Sequence, residues 1–258
     1  MSGTLVVNEV YLSLQGESTF AGLPCVFVRL TACNLRCSYC DTAYAFTEGT
    51  RREISEVRAE IERLARTYAP PGNVAGFPVV PDLGTPARHR LPLVEFTGGE
   101  PLLQPRAAAL MRDLCDAGFT VLVETSGAHD IGVLDPRVRR IMDLKAPSSG
   151  EDGRNRWANL PLLRGTDEVK FVLGTWEDYA WMRQVLAEHS LATICPVLVS
   201  WVAPLEPHQR DPSLKPVPEG HRPITRRELA DRIIEDRLPV RFQLQMHKYV
   251  WSPDARGV

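Results

Sequence analysis

Three cysteines crowded into a short stretch give this sequence its clearest chemistry. Cys33, Cys37 and Cys40 follow a Cys-x3-Cys-x2-Cys pattern, so three thiolates can converge on one inorganic centre. A [4Fe–4S] cluster held through three of its irons keeps the fourth iron open to a small molecule. A closed zinc site instead needs a fourth cysteine or histidine at a nearby spacing, and no histidine follows until His89. The pattern favours the cluster, with zinc as the alternative.

A second segment with chemical potential is Thr97-Gly98-Gly99-Glu100-Pro101. Its two glycines let the backbone approach a ligand, and Glu100 can accept a hydrogen bond from a cationic amine. Further polar groups occur at Glu124, Thr125, Ser126 and Gly127, at Asp143 and Lys145 on either side of Leu144, and at Lys170. An Asp or Lys in such a position can equally form a surface ion pair, so each of these residues needs structural support.

Alternating strand and helix patterns predict how these groups are positioned. Apolar, β-branched runs predict strands at 26–30, 93–97, 121–124, 140–144, 169–173 and 193–199, and a last strand at 242–246. Such an order indicates parallel strands joined by crossover helices. About six such units fit, fewer than a closed barrel needs, so we predict an α/β fold in the form of an open, partial (β/α)6 barrel. The polar residues then follow the carboxyl ends of strands, where ligands gather.

Helix periods lie between the predicted strands. Apolar residues at helical spacing predict helices around 54–64, 110–117 and 179–186, the second ending at Gly118. Two capping boxes are predicted, Thr50 with Glu53 before the first helix and Thr225 with Glu228 before a helix that carries Leu229 and Ile233.

Composition limits the broader interpretation. The 258 residues carry a net charge of -2, which gives no reason to expect nucleic acid or an anionic membrane as a partner. No apolar run approaches the roughly 20 residues of a membrane span, and the first residues lack the features of a signal peptide. Six cysteines with three clustered are typical of a reducing compartment rather than a disulfide scaffold. We therefore expect a cytoplasmic protein.

Two proline-rich stretches interrupt the alternation of strands and helices. Residues 70–92 and 203–223 lack periodicity and predict long surface loops inserted into one domain that spans residues 1–258. No internal repeat or linker divides the chain.

Several segments together resemble the 7-carboxy-7-deazaguanine synthase family of radical S-adenosylmethionine (SAM) enzymes. The cysteine spacing and the Gly-Gly-Glu-Pro segment are similar to those of the whole superfamily. More specific to the family are Leu14-Gln15-Gly16-Glu17, the Cys40-Asp41-Thr42 step, and the closing Gln245-Met246-His247-Lys248-Tyr249. These segments follow the family order over nearly the whole chain.

The resemblance implies a reaction. The substrate would be 6-carboxy-5,6,7,8-tetrahydropterin, and the product 7-carboxy-7-deazaguanine with loss of ammonia, on the route to queuosine in tRNA or to another 7-deazapurine. A flavodoxin-like or ferredoxin-like donor would reduce the [4Fe–4S] cluster. Cleavage of SAM would then yield a 5′-deoxyadenosyl radical that takes a hydrogen atom from C6 of the pterin. Magnesium and a homodimer are also implied.

The resemblance also implies roles for individual residues. Cys33, Cys37 and Cys40 would bind the cluster, and Thr42 would contact Mg²⁺, although Thr42 can also be a helix cap. The substrate would be bound by Leu14, Gln15, Gly16, Arg29 and Thr97. SAM would be bound by Tyr39, Gly99, Glu100, Glu124, Ser126, Asp143, Leu144, Lys145, Cys195, Pro196, Val197 and Leu198. Arg29 lies in an apolar strand and needs a partner if buried, and a guanidinium suits the substrate carboxylate.

The sequence departs from the family pattern at some positions and leaves other functions open. Ser18 replaces a usual glycine, Met246 stands where relatives often have threonine, and residues 251–258 extend beyond short relatives. A glycyl-radical activating enzyme has the same cysteine loop but acts on a protein backbone. A metal-binding or electron-carrier module, or a related enzyme with another pterin or purine substrate, are further alternatives.

Overall fold

A mostly parallel β-sheet organises the protein, whose computed structural model describes residues 3–68, 78–81, 88–252 and 255–258. The strands within these residues are β1 (Thr4–Leu14), β2 (Pro24–Leu30), β3 (Thr50–Glu53), β4 (Val79–Pro81), β5 (Arg88–Arg90), β6 (Leu93–Gly98), β7 (Val121–Thr125), β8 (Arg139–Asp143), β9 (Glu168–Leu173), β10 (Val197–Trp201) and β11 (Arg241–Gln243). The α-helices are α1 (Ile54–Ala65), α2 (Pro105–Asp116), α3 (Trp176–His189), α4 (Arg226–Glu235) and α5 (His247–Val250).

The strand order confirms an open, partial barrel. The large sheet runs β11-β10-β9-β8-β7-β6-β2-β1-β3, and every neighbouring pair from β11 to β2 is parallel. Within the described residues its outermost strands, β11 and β3, are not paired with each other, so the sheet is not closed. The seven parallel strands are joined by six connections, which fits the predicted six-unit fold.

The crossover segments pack one apolar face on the sheet. In α1 the buried residues are Ile54, Val57, Ile61 and Ala65, at the spacing of one helix face. Gly118 has a φ of 80° just after α2, and Thr225 caps α4 reciprocally with Glu228, so both predicted helix boundaries are confirmed. The β7–β8 and β8–β9 connections instead contain 3-10 turns, at Ile131–Val133, Pro147–Ser149, Asp152–Arg154 and Trp157–Leu162.

Some predicted boundaries are wrong. Thr50 and Glu53 form strand β3 rather than a capping box, and Glu53 caps α1 together with Glu56. The strand predicted at 193–199 begins only at Val197, because Leu191–Thr193 is a 3-10 turn whose Leu191 is buried in the core. A turn that is buried in the core can show the same apolar residues as a strand, so the two could not be told apart from the pattern. The last strand ends at Gln243, and helix α5 starts at His247.

Strand β1 was not predicted from the sequence. It pairs antiparallel with β2 on one side and with β3 on the other. It therefore extends the parallel sheet with an antiparallel edge. Because Leu14 pairs with Pro24, the first residue of β2, the loop that follows Leu14 starts at the amino end of the parallel strands and enters the barrel interior, where Gln15 contacts Glu95.

The two proline-rich stretches differ in structure. Much of 70–92 lies outside the described residues, and its described parts form the small antiparallel sheet of β4 and β5, so the prediction of a loop throughout is wrong there. Residues 203–223 contain one short 3-10 turn, Pro207–Gln209. A single bridge pairs Pro223 with Thr175.

Apolar side chains cover both faces of the sheet. The larger cluster lies between the strands and the helices and includes Phe96, Leu110 and Phe171. A smaller cluster fills the amino-terminal part of the barrel interior, with Phe20, Cys25, Phe27, Leu91, Leu93, Leu122 and Ile141. In β6 the side chains alternate, so Phe96 faces the helices while Leu93 faces the interior. No helix among the described residues has the length and apolarity to span a bilayer.

Candidate functional site

A cavity of about 490 Å³ opens above the interior apolar cluster, at the carboxyl ends of the parallel strands. This volume lies within the range of small-molecule sites, roughly 300–1,000 Å³. The three clustered cysteines line it together with polar side chains from β2, β6, β7, β8 and β9. The topology thus brings together residues that are far apart in sequence.

The cysteine loop follows β2 and is held by contacts to the loop after β8. Ser38 donates its backbone N–H to Ser149 O and its hydroxyl to Ser148 O, and Glu151 accepts from Arg36 N at 2.7 Å. Leu35 N lies 3.4 Å from Cys33 Sγ. Burial raises the pKa of Cys37 to about 11 and that of Cys40 to about 12. Binding to a metal centre would therefore have to displace protons from these thiols.

The three clustered thiols are a donor set suited to a [4Fe–4S] cluster held through three of its irons. Cys33, Cys37 and Cys40 all line the cavity, while Cys25, Cys115 and Cys195 do not. Among the residues that the structure describes, no group of three or more His, Cys, Asp or Glu is arranged to hold one metal ion. Thiolates of one zinc ion lie within about 4.6 Å of each other, since each Zn–S bond is about 2.3 Å. The zinc alternative gains no support from this arrangement.

The two glycines at the end of β6 line the cavity and let the chain pack closely on the cysteine loop. A Cβ on Gly99 would lie 2.0 Å from Ala32 O, and one on Gly98 would lie 2.3 Å from Leu30 O. Gly98 also has a φ of 124°, which favours glycine. The close approach they permit is therefore to the backbone of the cysteine loop.

Glu100 lies behind the cavity wall instead of in it. Its carboxylate accepts hydrogen bonds from Leu102 N, Thr125 Oγ1, and both Ser126 N and Ser126 Oγ, and the residue is 0% exposed. The side chain ties the loop after β6 to the loop after β7. The structure thus gives no direct contact between Glu100 and the cavity.

The other predicted SAM residues divide into two groups. Tyr39, Gly99, Glu124, Ser126, Asp143 and Lys145 line the cavity. Leu144 packs in the cluster between sheet and helices. The cavity lining also lacks Cys195, Pro196, Val197 and Leu198. Strand β10 starts later than predicted, and these four residues lie toward its amino end. The residues that do line it here are Trp201, at the end of β10, and 202–205, which follow the strand.

The predicted substrate residues Leu14, Gln15, Gly16, Arg29 and Thr97 all line the cavity. The Gln15 amide, however, is already engaged. Its Oε1 accepts from Glu17 N at 2.7 Å and from Ser18 N at 2.9 Å, and its Nε2 donates to Glu95 at 3.0 Å. Gln15 therefore organises its own loop, and these bonds leave one N–H of its Nε2 over.

Arg29 has partners within the protein. Its Nε lies 2.7 Å from Glu9 Oε1 and its Nη2 lies 2.7 Å from Tyr11 Oη, both on β1. Tyr44 Oη also donates to Glu9 at 3.2 Å. Glu9 neutralises one edge of a guanidinium that still lines the cavity, so Arg29 is held in a fixed position.

A charged network crosses the cavity between β7, β8 and β9. Lys170 Nζ lies 3.1 Å from Glu17 Oε2 and 3.7 Å from Asp143 Oδ1, and it also donates to Glu124. Burial alone would lower the pKa of Lys170, but Asp143, Glu124 and Glu17 raise it well above its usual value. Lys145 pairs with Asp143 at 2.6 Å. Both lysines therefore stay charged and paired.

Two segments distant in sequence close one side of the cavity. Met246 N donates to Gly16 O, and a Cβ on Gly16 would lie 3.1 Å from His247 Nδ1. Gln245 Nε2 donates to Glu17 at 3.0 Å. Although burial would raise it, Lys170 and His247 lower the pKa of Glu17 to about 2. The carboxyl-terminal segment thus completes the wall.

The same segment reaches the cysteine loop. Lys248 Nζ lies 2.5 Å from Asp41 Oδ2, and Thr42 Oγ1 donates to Asp41 Oδ1 at 2.8 Å. Thr42 lines the cavity and precedes the 3-10 turn Ala43–Phe46, which it does not cap through its side chain. The alternative of Thr42 as a helix cap is therefore not supported.

Several cavity residues were missed from the sequence. Tyr11, Tyr44 and Glu95 line the cavity, as does Lys170, which the sequence placed at a strand without a role. A charged residue in an apolar strand was the signal that singled out Arg29. The same signal was present at Glu95, which stands between Val94 and Phe96.

Comparisons of sequence agree with this arrangement. Residues 28–187 match the family model described as the radical SAM superfamily. The chain is 39% identical over 254 residues to 7-carboxy-7-deazaguanine synthase of Koribacter versatilis, covering 98% of this chain and 99% of the relative. It is also 39% identical over 258 residues to the protein of the same name from Chlorobaculum tepidum, covering 98% and 97%.

Comparison of structures supports the fold. The crystal structure of QueE from Escherichia coli matches with a TM-score of 0.61 at 21% identity, covering 95% of each chain. Streptococcus suis SuiB bound to S-adenosylmethionine matches with a TM-score of 0.52 at 14% identity, covering 83% of this chain and 48% of that one.

Proposed function

This chain belongs to the radical SAM superfamily and, within it, to the 7-carboxy-7-deazaguanine synthase family, and we propose that it converts 6-carboxy-5,6,7,8-tetrahydropterin into 7-carboxy-7-deazaguanine. Ammonia leaves during the reaction, and the product enters queuosine or another 7-deazapurine. The observation that carries the proposal is a single cavity lined both by the three cysteines and by the family-specific segments at 14–17 and 245–248.

The cofactors of the proposed reaction are a [4Fe–4S] cluster and SAM. The cluster would be held by Cys33, Cys37 and Cys40. Once reduced by one electron, it would supply the electron that cleaves SAM to methionine and a 5′-deoxyadenosyl radical. An external donor of the flavodoxin or ferredoxin type provides the electron. The walls around the site exclude water, which protects a reactive radical from side reactions.

The chain's own residues bind and orient the two organic molecules. For SAM we retain Tyr39, Gly99, Glu124, Ser126, Asp143 and Lys145, and we replace 195–198 by 201–205, which line the cavity. Glu100 acts by holding Ser126 in place. SAM is a cation flanked by polar groups, and the carboxylates of Glu124 and Asp143 suit its positive charge.

On the substrate side, Arg29 would bind the pterin carboxylate with the part of its guanidinium that Glu9 and Tyr11 leave available. Thr97 donates its hydroxyl to Glu124 Oε2 at 3.2 Å and retains acceptor capacity for a pterin N–H. Leu14, Gln15 and Gly16 would contact the ring, and Gln15 has one N–H of its side-chain amide left beyond the bond to Glu95.

Magnesium is the further proposed ion, with Thr42 as its protein contact. A single hydroxyl is a weak ligand, so the ion would rely on substrate oxygens and water, as Mg²⁺ commonly does. Replacement of Thr42 by Val should abolish stimulation of turnover by Mg²⁺ while cluster content is unchanged. Equal stimulation in both proteins would reject this role.

One experiment tests the proposed function directly. The chain is reconstituted anaerobically with iron and sulfide and incubated with SAM, dithionite and the carboxytetrahydropterin. The expected result is 7-carboxy-7-deazaguanine together with release of ammonia. If 5′-deoxyadenosine accumulates without the deazapurine, the superfamily assignment stands and the substrate is wrong. A glycyl-radical activating enzyme would instead need a partner protein as its substrate.

A further inference from the structure

Glu95 is a buried carboxyl group in the cavity wall to which the proposed function assigns no task. It lies on β6, in register with Phe27 of β2 and Leu122 of β7. It is 1% exposed and lines the cavity. A carboxyl group so placed is costly unless it is bonded or neutral.

The contact that Glu95 makes leads to the substrate segment. Its Oε2 accepts from Gln15 Nε2 at 3.0 Å. The other end of the same amide, Gln15 Oε1, accepts from Glu17 N and Ser18 N at 2.7 and 2.9 Å. Glu95 therefore anchors, through one side chain, the turn that presents residues 14–17 to the cavity.

The charges around Glu95 are predominantly negative. Glu124 on β7 and Glu17 in the turn face it, with Cys25 on β2 and Tyr11 on β1 as the neutral titratable neighbours. Lys170 on β9 is the cation that acts on it, but this ammonium already pairs with Glu17, Glu124 and Asp143. Burial, and then the charge of Glu124, raise the pKa of Glu95 to about 8.

We propose that Glu95 is a positioning residue for the substrate, which in its neutral form holds Gln15 and so keeps the segment 14–17 in place against the pterin. The bond from Gln15 by itself favours the ionised form, but burial and the charges of Glu124 and Glu17 outweigh it. Ionisation would therefore put a further negative charge beside Glu17 in the same turn and would loosen the turn. The identity of the ligand rests on the proposed function, whereas the anchoring of the turn does not.

Two substitutions separate anchoring from mere filling of space. Glu95→Gln keeps a neutral group that can accept from Gln15, and Glu95→Leu keeps the approximate size but removes the acceptor. Amide hydrogen exchange of the full chain is measured by mass spectrometry at pH 7 without cofactor or substrate. Peptides covering 14–18 should exchange about tenfold faster in Glu95→Leu, in line with the loss of one buried hydrogen bond. Glu95→Gln and the exposed control Glu188→Gln should match the unmodified chain.

The pH dependence of ligand binding tests the neutral form. Binding of the carboxytetrahydropterin to the anaerobically reconstituted, SAM-loaded enzyme is measured by calorimetry at pH 7 and pH 9. The affinity of the unmodified enzyme should fall about tenfold more than that of Glu95→Gln, which cannot ionise. An equal fall in the two proteins overturns the requirement for a neutral Glu95.

The two measurements also separate this inference from the proposed function. If the unmodified enzyme does not bind the pterin at pH 7, the proposed substrate is wrong, and the exchange data alone decide whether Glu95 anchors the turn. If Glu95→Leu exchanges at 14–18 like the unmodified chain, the positioning role is rejected, whatever the substrate.

Discussion

Charged side chains in the cavity are held in place by one another. Arg29 is fixed by Glu9 and Tyr11. Lys170 is fixed by three carboxylates, those of Glu17, Glu124 and Asp143. Buried ions of this kind need partners with good geometry, because removal of one partner leaves an uncompensated charge. The arrangement presents polar groups to a ligand in fixed positions, which reduces the entropy lost on binding.

Replacement of any one of Cys33, Cys37 or Cys40 by Ala should abolish retention of a [4Fe–4S] cluster. Two remaining thiolates cannot hold three irons, so bound iron and sulfide and the brown absorption should be lost after anaerobic reconstitution. Cys115→Ala is the matched control, because Cys115 lies on α2 away from the cavity. Full iron content in any of the three variants would contradict the assignment.

Glu95 should also affect stability as a function of pH. Its pKa rises from 4.5 in the unfolded chain to about 8 on folding, so between these values the folded protein holds a proton that the unfolded chain has lost. Its contribution to stability is present below pH 4.5 and is lost as the pH rises toward 8, at up to about 1.4 kcal/mol per pH unit.

Glu95→Gln removes this titration. As the pH rises from 5 to 8, the free energy of unfolding of the variant, measured by urea denaturation, should therefore increase relative to that of the unmodified chain. The exposed Glu188→Gln should run parallel to the unmodified chain. A parallel curve for Glu95→Gln would show that Glu95 is ionised in the folded protein.

Single residues were predictable from the sequence where a physical conflict was visible. A buried Arg29 needs a partner, as the sequence indicated. The identity of that partner, Glu9, follows from the antiparallel pairing of β1 and β2. Glu95 showed the same conflict and its partner is Gln15, which lies 80 positions away. Long-range contacts of this kind depend on strand register, which a single sequence does not encode locally.

At the scale of elements, the loops at the barrel rim pack on each other at backbone distance. The loop after β6 passes so close to the cysteine loop that Gly99 leaves no room for a side chain. The loop after β6 is also joined to the loop after β7 through Glu100. The rim is thus one connected layer, and displacement of one loop displaces its neighbours.

Gly99→Ala should therefore damage the cysteine loop although it removes none of the three thiols. Its Cβ would lie 2.0 Å from Ala32 O, so the backbone next to Cys33 has to move. We expect loss of most bound iron and a destabilisation of about 2 kcal/mol or more, measured by iron analysis and urea denaturation.

The control for this experiment is Gly153→Ala. A Cβ on Gly153 would meet nothing within 4 Å, and its φ is not in the left-handed region. This variant should keep its iron and its stability. Normal iron content in Gly99→Ala would mean that the cysteine loop tolerates displacement.

Elements were predicted well where periodicity and burial agreed. The strands β2, β6, β7 and β9 are mostly apolar on both faces because helices cover one face and the barrel interior the other. Prediction failed at Leu191–Thr193, where a turn contains the buried Leu191, and at β1, whose apolar and polar residues alternate irregularly and which ends at Leu14, where the family motif begins. The shift of β10 moved the expected SAM wall away from the cavity.

At the scale of the whole molecule, the chain is proposed to act as a homodimer and as a single domain over residues 1–258. The mass of one chain is 28.8 kDa, and light scattering of the reconstituted protein should give twice this value. A mass near that of one chain, unchanged on raising the protein concentration, would contradict the dimer. Limited proteolysis that released two stable fragments would contradict the single domain.

The wall built by Gln245, Met246, His247 and Lys248 packs on a turn formed more than 200 positions earlier, as in the bond from Gln245 to Glu17. On a ribosome, the cysteine loop emerges long before the residues that cover its flank. It follows that the thiols stay accessible from that side throughout most of synthesis. In the proposed function, delivery of the cluster would precede this docking step, and the segment 245–248, made later, would then cover that flank of the cysteine loop.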